Sequence, residues 1–234
     1  MKAVSVIVPT YNEKENLPIL IDKINRVFAD GKINGEVVII DDNSSDGTGQ
    51  LAEQLKEKYK FLKVIHRPSK LGLGSAYMEG SRAAESKLLI TMDADLSHDP
   101  AYLPQFIEKA EHADVVVGSR YVKGGGIVGW GLYRKLVSKL ANFLAKIAAG
   151  AGVGDMTSGY RAYRKEVFEK VATEGIKSSG YAFQLEIIYE IRKKGFRIDE
   201  VPIIFTDRRK GESKLGMREI VSFLILAIKL GLRQ

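Results

Sequence analysis

Short apolar runs rich in β-branched residues alternate with longer segments of helical periodicity along the first half of the chain. The apolar runs predict strands at residues 3–8, 36–40, 61–65, 88–92 and 114–118. The segments between them predict helices at residues 13–28, 48–58, 72–85 and 101–110. This alternation is typical of right-handed βαβ units, so we expect an α/β fold with a mostly parallel sheet flanked by helices.

The rhythm changes after Arg120. A glycine-rich segment at residues 123–131 is expected to be mobile, and residues 132–149 predict an amphipathic helix. The later elements are predicted as a short strand at 161–164, a helix at 183–194, an edge strand at 197–205 interrupted by Pro202, a charged loop at 206–216 and a helix at 217–232. No linker or repeat divides the chain, so we predict one domain over residues 1–216 and a C-terminal helix over residues 217–234.

Three polar clusters directly follow predicted strands, at residues 10–13, 41–46 and 93–99. Parallel sheets bind ligands beyond the carboxyl ends of their strands. We therefore expect these clusters to line one edge of the sheet and to form the site.

The composition is that of a globular protein. Hydrophobic residues make up 45% of the 234 residues and charged residues 28%, which excludes disorder as the main state. The absence of cysteine excludes disulfides, a thiolate nucleophile and Cys-ligated metal sites. The most apolar stretches, 140–154 and 221–232, contain Lys146 and Lys229 and are too short to span a bilayer.

The net charge of +7 is unevenly distributed along the chain. Residues 1–119 hold 14 basic and 18 acidic side chains, a net −4, whereas residues 120–234 hold 22 basic and 11 acidic side chains, a net +11. A basic half suits nucleic acid, an anionic membrane or a phosphorylated substrate. Aromatic residues are not interleaved with the cations as a nucleic-acid stacking platform requires, so we expect no nucleic-acid partner.

Two carboxylates stand two residues apart at the end of the fourth predicted strand, in Asp93-Ala94-Asp95. Both can reach one hard divalent ion such as Mg²⁺ or Mn²⁺, which takes oxygen ligands and often shares them with substrate phosphates. The alternative is an exposed turn in which an aspartate caps the helix before Pro100.

Acidic and aromatic side chains follow the first two strands. Tyr11 can stack on a base, and the carboxylates of Glu13, Asp41 and Asp42 can accept hydrogen bonds from a nucleoside. The alternative is helix capping, because both clusters precede helices. No G-x-G-x-x-G pattern follows the first strand, which disfavours a dinucleotide-dependent dehydrogenase.

Cations that fit phosphate oxygens are concentrated in the basic half. Arg134 and Ser138 lie one turn apart and share a helix face. A solvated basic face is the alternative, favoured for Lys135 and Lys139 and disfavoured for Arg120, which ends the fifth strand. Four further cations that could bind phosphate lie near the C-terminal helix: Arg208, Arg209, Lys210 and Lys214.

The segment 220–232 is apolar nearly all round. It is either a core helix covered on every side or a surface helix that inserts into a membrane interface or contacts a partner. Cations at Arg218, Lys229 and Arg233 favour the interfacial interpretation.

Taken together, these residues resemble the family 2 glycosyltransferases, and within them the dolichol or polyprenol phosphate mannosyltransferases. General family motifs are VIVPTYNEKENL, VVIIDDNSSDGT and MDADLSHDP, and motifs of the lipid-phosphate branch are GSRYV, YRKLVS, GYAFQ and GESKL. The resemblance covers nearly the whole chain and implies a Rossmann-like GT-A fold, with a nucleotide-sugar and metal half at 1–119 and an acceptor half at 120–216.

The resemblance also implies roles at matching positions. The nucleotide sugar would be bound by Pro9, Tyr11, Glu13, Asp41, Asp42, Lys70, Gly72, Asp93 and Ala94. Mg²⁺ or Mn²⁺ would be held by Asp93 and Asp95, with Ser97, where some relatives have Gln, or water as a third ligand. The phosphates would be bound by Arg120, Arg134, Ser138, Arg208, Ser213 and Lys214. Asp93, Asp95, Arg120 and Arg134 would be the catalytic residues.

The implied reaction is metal-dependent, inverting transfer of mannose from GDP-mannose to dolichyl or polyprenyl phosphate. The implied location is the cytoplasmic face of a membrane, bound peripherally, with a small membrane-anchoring subunit as a possible partner. Two alternatives stay open: the same chemistry with a UDP-glucose donor, or a non-catalytic basic module that binds membranes peripherally.

Overall fold

The computed structural model describes residues 3–150, 152–174, 176, 178, 180–207 and 217–231. The strands are β1 (Val4–Thr10), β2 (Gly35–Asp41), β3 (Leu62–His66), β4 (Leu88–Thr91), β5 (Val115–Ser119), β6 (Gly126–Val128), β7 (Arg161–Arg164), β8 (Ile198–Pro202) and β9 (Ile204–Thr206). The helices are α1 (Leu17–Asp30), α2 (Thr48–Lys58), α3 (Leu73–Ala83), α4 (Leu103–Lys109), α5 (Leu132–Ala149), α6 (Lys165–Glu174), α7 (Gly180–Lys193) and α8 (Met217–Gly231). A 3₁₀ turn, Pro100–Tyr102, precedes α4.

Seven strands form the central sheet in the order β3-β2-β1-β4-β7-β5-β8. Strand β7 runs antiparallel to both of its neighbours, and the other pairings in this sheet are parallel. Strands β6 and β9 form a separate parallel pair. The mostly parallel sheet predicted from the alternation is therefore confirmed.

Helices cover both faces of the sheet, and because side chains alternate along each strand, every strand contributes to two cores. On β1, Val6 and Val8 pack with α1 residues in one core, whereas Ile7 packs with Tyr77 of α3 in the other. Helices α6 and α7 add Phe168 and several aliphatic side chains to this second core. Continuous apolar strands of this kind place the polar groups at strand ends, where a ligand can reach them.

Several predicted boundaries change in the structure. Helix α1 begins at Leu17 rather than at residue 13, because residues 13–16 form a turn in which the Asn16 N–H donates to the Glu13 carbonyl. The glycine-rich segment predicted to be mobile contains β6, and α6 was not predicted. The predicted edge strand 197–205 is divided after Pro202 into β8, which does lie at a sheet edge, and β9.

Helix α8 has both buried and exposed apolar side chains among its described residues. Phe223, Ala227 and Leu230 are buried in the core, whereas Ile225 and Ile228 are exposed. Across the described part of the chain, no helix has the combination of length and apolar character needed to cross a bilayer.

Candidate functional site

The carboxyl ends of β2, β1 and β4 lie side by side and bring the three polar clusters to one sheet edge. The Asp42 N–H donates to the Thr10 carbonyl at 3.0 Å, so the ends of β1 and β2 are in direct contact. The Met92 N–H donates to the Ile7 carbonyl at 3.0 Å, which extends the β1–β4 pairing to the start of the third cluster. The prediction that these clusters share one edge is confirmed.

Asp41 holds the loops after β1 and β2 together. Its carboxylate accepts hydrogen bonds from the Thr10 hydroxyl at 2.9 Å and from the hydroxyl and N–H of Ser44. The Ser44 hydroxyl in turn accepts from the Asn12 N–H at 2.9 Å. Asp41 is buried and acts on the site by fixing the backbone that surrounds it.

The N-cap of α2 is Gly47, and the preceding Asp46 side chain satisfies donors of the first helical residue, so the capping alternative holds in part. The Asp46 carboxylate accepts from the N–H and hydroxyl of Thr48, the first residue of α2. These hydrogen bonds lower the Asp46 pKa, although partial burial opposes them. Capping therefore uses Asp46 and leaves the earlier acidic residues beside the strand ends.

Tyr11 contacts Lys70 beyond the end of β1, and Glu13 is held by neighbouring residues in the same loop. The Lys70 Nζ lies 4.9 Å from the centre of the Tyr11 ring, a cation–π distance. The Glu13 carboxylate accepts from the Asn16 amide at 2.8 Å, and its N–H donates to Thr48. Pro9 pairs with Ile40 in the sheet directly below.

Asp42 has a buried partner that the sequence analysis missed. The Arg67 Nε donates to its carboxylate at 2.6 Å, and the same guanidinium contacts the Ser75 hydroxyl at 2.8 Å. Burial raises the Asp42 pKa even though Arg67 opposes the shift. The signal for Arg67 was its position directly after β3. Gly72, which precedes α3, adopts φ +93°, a conformation that favours glycine.

The Asp93-Ala94-Asp95 segment follows β4 and contains one accessible and one buried carboxylate. The Asp93 side chain is 42% exposed, and Asp95 is buried. The Ser97 N–H and hydroxyl both donate to the Asp95 Oδ1, so Ser97 orients this carboxylate.

This donor set fits Mg²⁺ or Mn²⁺. Within the described ranges, no three His, Cys, Asp or Glu side chains come together as a metal site. Mg²⁺ is commonly bound through one or two carboxylates, with water and substrate phosphates completing its coordination. Asp93 and Asp95 are the two carboxylates that the sequence analysis assigns to such a shared site.

His98 secures the same loop. Its Nδ1 accepts from the Asp93 N–H at 3.0 Å, so the neutral ring carries its proton on Nε2. That nitrogen lies 3.9 Å from the Asp93 Oδ2. The ring is buried and stacks on Tyr160 at 4.9 Å between centroids, so it helps to pack the loop against the sheet.

Arg120 is buried against Asp155, a second partner that the sequence analysis missed. The Nε and Nη2 atoms contact the Asp155 carboxylate at 2.6 and 2.7 Å, and Nη2 also donates to Thr157. Burial would raise the Asp155 pKa, but the Arg120 charge and hydrogen bonds outweigh it and lower the pKa.

Arg134 and Ser138 extend from α5 toward the Arg120 region. The Arg134 guanidinium lies 4.1 Å from the Trp130 ring centre and pairs with Asp207 at 3.0 Å. The Ser138 hydroxyl accepts from the Tyr121 hydroxyl at 2.7 Å. The structure thus brings Arg120, Arg134 and Ser138 together through intervening aromatic rings. Arg208, Ser213 and Lys214 lie outside the described residues.

Comparison with known protein families identifies the family to which this chain belongs. Residues 5–172 match the model of glycosyl transferase family 2. The chain belongs to the family 2 glycosyltransferases. The resemblance drawn from the motifs is therefore confirmed, and the protein is an enzyme of this family.

Two curated relatives align with most of this glycosyltransferase. It is 39% identical to the polyprenol monophosphomannose synthase of Mycolicibacterium smegmatis, over 97% of this chain and 86% of the relative. It is 40% identical to the undecaprenyl-phosphate mannosyltransferase of Micrococcus luteus, over 91% of this chain and 87% of the relative.

A solved structure supports the fold. The glucosyl-3-phosphoglycerate synthase of Mycobacterium tuberculosis, in complex with Mn²⁺, UDP and phosphoglyceric acid, matches with a TM-score of 0.68 and 19% identity over 99% of this chain and 78% of that one. The same enzyme with Mg²⁺ and UDP matches with a TM-score of 0.67 and 18% identity, over 99% of this chain and 79% of that one. At this identity the likeness shows the fold of the glycosyltransferase.

Proposed function

We propose that this glycosyltransferase transfers mannose from GDP-mannose to a polyprenyl phosphate, of the dolichyl or undecaprenyl kind, with a divalent cation. The observation that carries the proposal is the identity of about 40% to two enzymes named as mannosyltransferases of polyprenyl phosphates, over most of each chain. A sheet edge with two carboxylates after β4 and a cationic region beside it suits a donor diphosphate and an acceptor phosphate.

The acceptor needs no catalytic base. A phosphomonoester has a second pKa of about 6, so it is largely dianionic at pH 7 and is already a nucleophile. Its oxygen forms a bond to the anomeric carbon while the bond from that carbon to the diphosphate oxygen breaks, and GDP departs with the electron pair. This direct displacement inverts the configuration and yields a β-linked mannosyl phosphate from an α-linked donor.

The chain's residues bind and orient the two anionic substrates. Pro9, Tyr11, Glu13, Lys70, Gly72 and Ala94 would contact the nucleotide, on a backbone held by Asp41 and by the Asp42–Arg67 pair. Asp93 and Asp95 would hold the cation, with Ser97 orienting Asp95. When bound, the cation supplies positive charge to the leaving diphosphate. Arg120, Arg134 and Ser138, with Arg208, Ser213 and Lys214, would bind phosphate oxygens.

Helix α5 provides a surface for peripheral binding to the membrane that holds the lipid acceptor. Its exposed apolar stripe, hereafter the α5 apolar face, consists of Leu132, Tyr133, Leu136, Leu140, Phe143 and Ile147. Lys139 and Lys146 are exposed on the same helix. An apolar stripe flanked by cations is typical of a helix that lies in a membrane interface. The expected docking surface is therefore wider than the last helix alone.

A donor assay tests the proposal. Purified protein is incubated with Mg²⁺, a short polyprenyl phosphate and either GDP-mannose or UDP-glucose, and the lipid product is analysed. We expect a β-mannosyl phosphate from GDP-mannose, loss of turnover with a chelator, and at least about a hundredfold loss of kcat for Asp93→Asn. Turnover with UDP-glucose alone, or retention of configuration, would contradict the proposal.

A further inference from the structure

One buried side chain near Asp93 has an amide group without a hydrogen-bond partner among the described residues. Gln184, on α7, is 2% exposed. Neither its Nε2 nor its Oε1 has a hydrogen-bond partner in the part of the chain that the structure describes. Because buried amides are almost always hydrogen-bonded in folded proteins, this side chain points to an external partner.

The Gln184 amide lies next to the predicted metal carboxylate across a single glycine. A Cβ placed on Gly159 would lie 3.5 Å from the Gln184 Nε2, 3.6 Å from the Asp93 Oδ1 and 3.6 Å from the His98 Cε1. Three polar side chains thus surround the position that a Cβ of residue 159 would occupy, each at ordinary contact distance from it. The amide belongs to the same site as Asp93.

The fold holds Gln184 firmly at this position. The Arg161 guanidinium, on β7, donates to the backbone carbonyl of Gln184 at 2.8 Å and to the backbone carbonyl of Met156 at 2.9 Å. The preceding residue, Phe183, packs against Tyr77 with the ring centroids 6.0 Å apart. The backbone of Gln184 is therefore fixed before any ligand arrives, which reduces the ordering that binding requires.

The chemistry of an amide narrows the class of ligand. A bound cation would use only the amide oxygen, and a phosphate group would use only the N–H groups. A hydroxyl both donates and accepts, so it can satisfy both amide atoms. The group attached to the donor diphosphate at this place is a sugar, whose hydroxyls have this character.

We propose that the Gln184 amide binds a hydroxyl of the donor sugar and contributes to the choice of sugar. This inference rests on the proposed glycosyl transfer. Gln184 is assigned as a substrate-binding residue, and Arg161 as the residue that positions it.

Two variants test the proposed sugar-binding position, one at Gln184 and one at Gly159. Gln184→Met keeps the length of the side chain and removes its hydrogen-bonding groups, whereas Gly159→Ala places a methyl group at ordinary contact distance from both Gln184 and Asp93. Matched controls are Gln105→Met, at an exposed position of α4, and Gly152→Ala, where a Cβ meets no other atom within 4 Å.

Calorimetry with Mg²⁺ compares the Kd of GDP with that of GDP-mannose for each protein. In both subsite variants we expect GDP-mannose to bind about tenfold more weakly while GDP binding and thermal stability stay unchanged. The ratio of kcat/KM between mannose and glucose donors should also fall. The controls should behave as wild type.

Equal weakening of GDP and GDP-mannose would overturn the subsite and indicate a structural role for Gln184, as would an unchanged ratio of the two Kd values. If wild-type protein turns over only UDP-glucose, the proposed donor is wrong, and the same comparison is made with UDP and UDP-glucose. Wild-type protein that transfers mannose while both variants keep its Kd ratio overturns this inference alone. Wild-type protein that binds neither donor overturns both proposals.

Discussion

At the scale of single residues, Arg120, which we propose as a phosphate-binding residue, is held in a buried ion pair. Asp155 is fully buried, and Arg120 lies against it with its guanidinium engaged at 2.6 and 2.7 Å. Asp155 also accepts the N–H groups of Arg120, Thr157 and Ser158, so one carboxylate organises the loop before β7. The position of Arg120 therefore depends on Asp155.

Asp155→Asn should destabilise the protein strongly. The substitution leaves the Arg120 charge buried without its carboxylate, and breaking such a pair costs about 3–5 kcal/mol. Urea unfolding at pH 7 measures the loss. Asp30→Asn, at an exposed position at the end of α1, is the control and should change stability by less than about 0.5 kcal/mol.

The same pair predicts the sign of a pH effect. Because the folded-state pKa of Asp155 is lowered, its stabilisation is complete above the unfolded pKa of about 3.9 and is lost as the pH falls through the folded pKa. The stability difference between wild type and Asp155→Asn should therefore shrink below about pH 4. A difference that stays constant from pH 7 to pH 3 would contradict this assignment.

The sequence analysis found one member of each buried pair and missed the other. Asp42 and Arg120 stand directly after strands, where parallel sheets bind ligands, and Arg67 has the same kind of position after β3. The partners of Asp42 and Arg120 are separated from them by 25 residues for Arg67 and 35 residues for Asp155, and only the tertiary structure shows the contact. Gln184 was missed for the same reason, since GYAFQ was seen only as a family motif.

At the scale of elements, α5 shows where periodicity predicts well. Its bounds match the predicted helix at residues 132–149, because an apolar stripe continues over all its turns. The start of α1 was wrong because the apolar pattern says nothing about the turn at residues 13–16. Strand β6 was missed since its pairing with β9 depends on residues nearly 80 positions away along the chain.

The α5 apolar face should bind lipid. Leu136 and Phe143 are 66% and 60% exposed, so replacing both by serine removes apolar contact with a bilayer without opening the core. We expect vesicle binding to weaken by at least about tenfold, because each side chain contributes about 1.5–3 kcal/mol when fully buried. Co-sedimentation with polyprenyl phosphate vesicles gives the measurement.

The matched control is Ile19→Ser, which removes an exposed apolar side chain from α1. It should leave vesicle binding unchanged, and both variants should keep wild-type activity on a short, water-soluble acceptor. Equal vesicle binding by the α5 variant and wild type would refute the docking role of this helix.

At the scale of the whole molecule, one antiparallel strand connects the two halves of the site. Strand β7 lies between β4 and β5, and the Thr91 hydroxyl at the end of β4 donates to the Gly159 carbonyl at 2.8 Å. This insertion brings Gly159 beside Asp93. The alternation of strands and helices predicted the parallel strands. The sequence of a short segment such as Arg161–Arg164 does not show which strands it pairs with or in which direction it runs.

The division of charge predicts how the whole molecule meets a membrane. Residues 120–234 carry a net +11, and residues 1–119 a net −4. Attraction of the basic half to an anionic surface acts over a Debye length of about 10 Å at 0.1 M salt and about 3 Å at 1 M. The apolar contribution of α5 does not depend on this screening.

Binding to anionic phosphatidylglycerol vesicles should therefore exceed binding to neutral phosphatidylcholine vesicles at 0.05 M salt, and the two should converge at 1 M. The binding that remains at 1 M salt should weaken by at least about tenfold in the Leu136→Ser, Phe143→Ser double variant, because it depends on apolar contact. Equal binding to both vesicles at low salt would show that the basic half does not face the membrane. An anionic preference that persists at 1 M would instead indicate recognition of individual lipid headgroups.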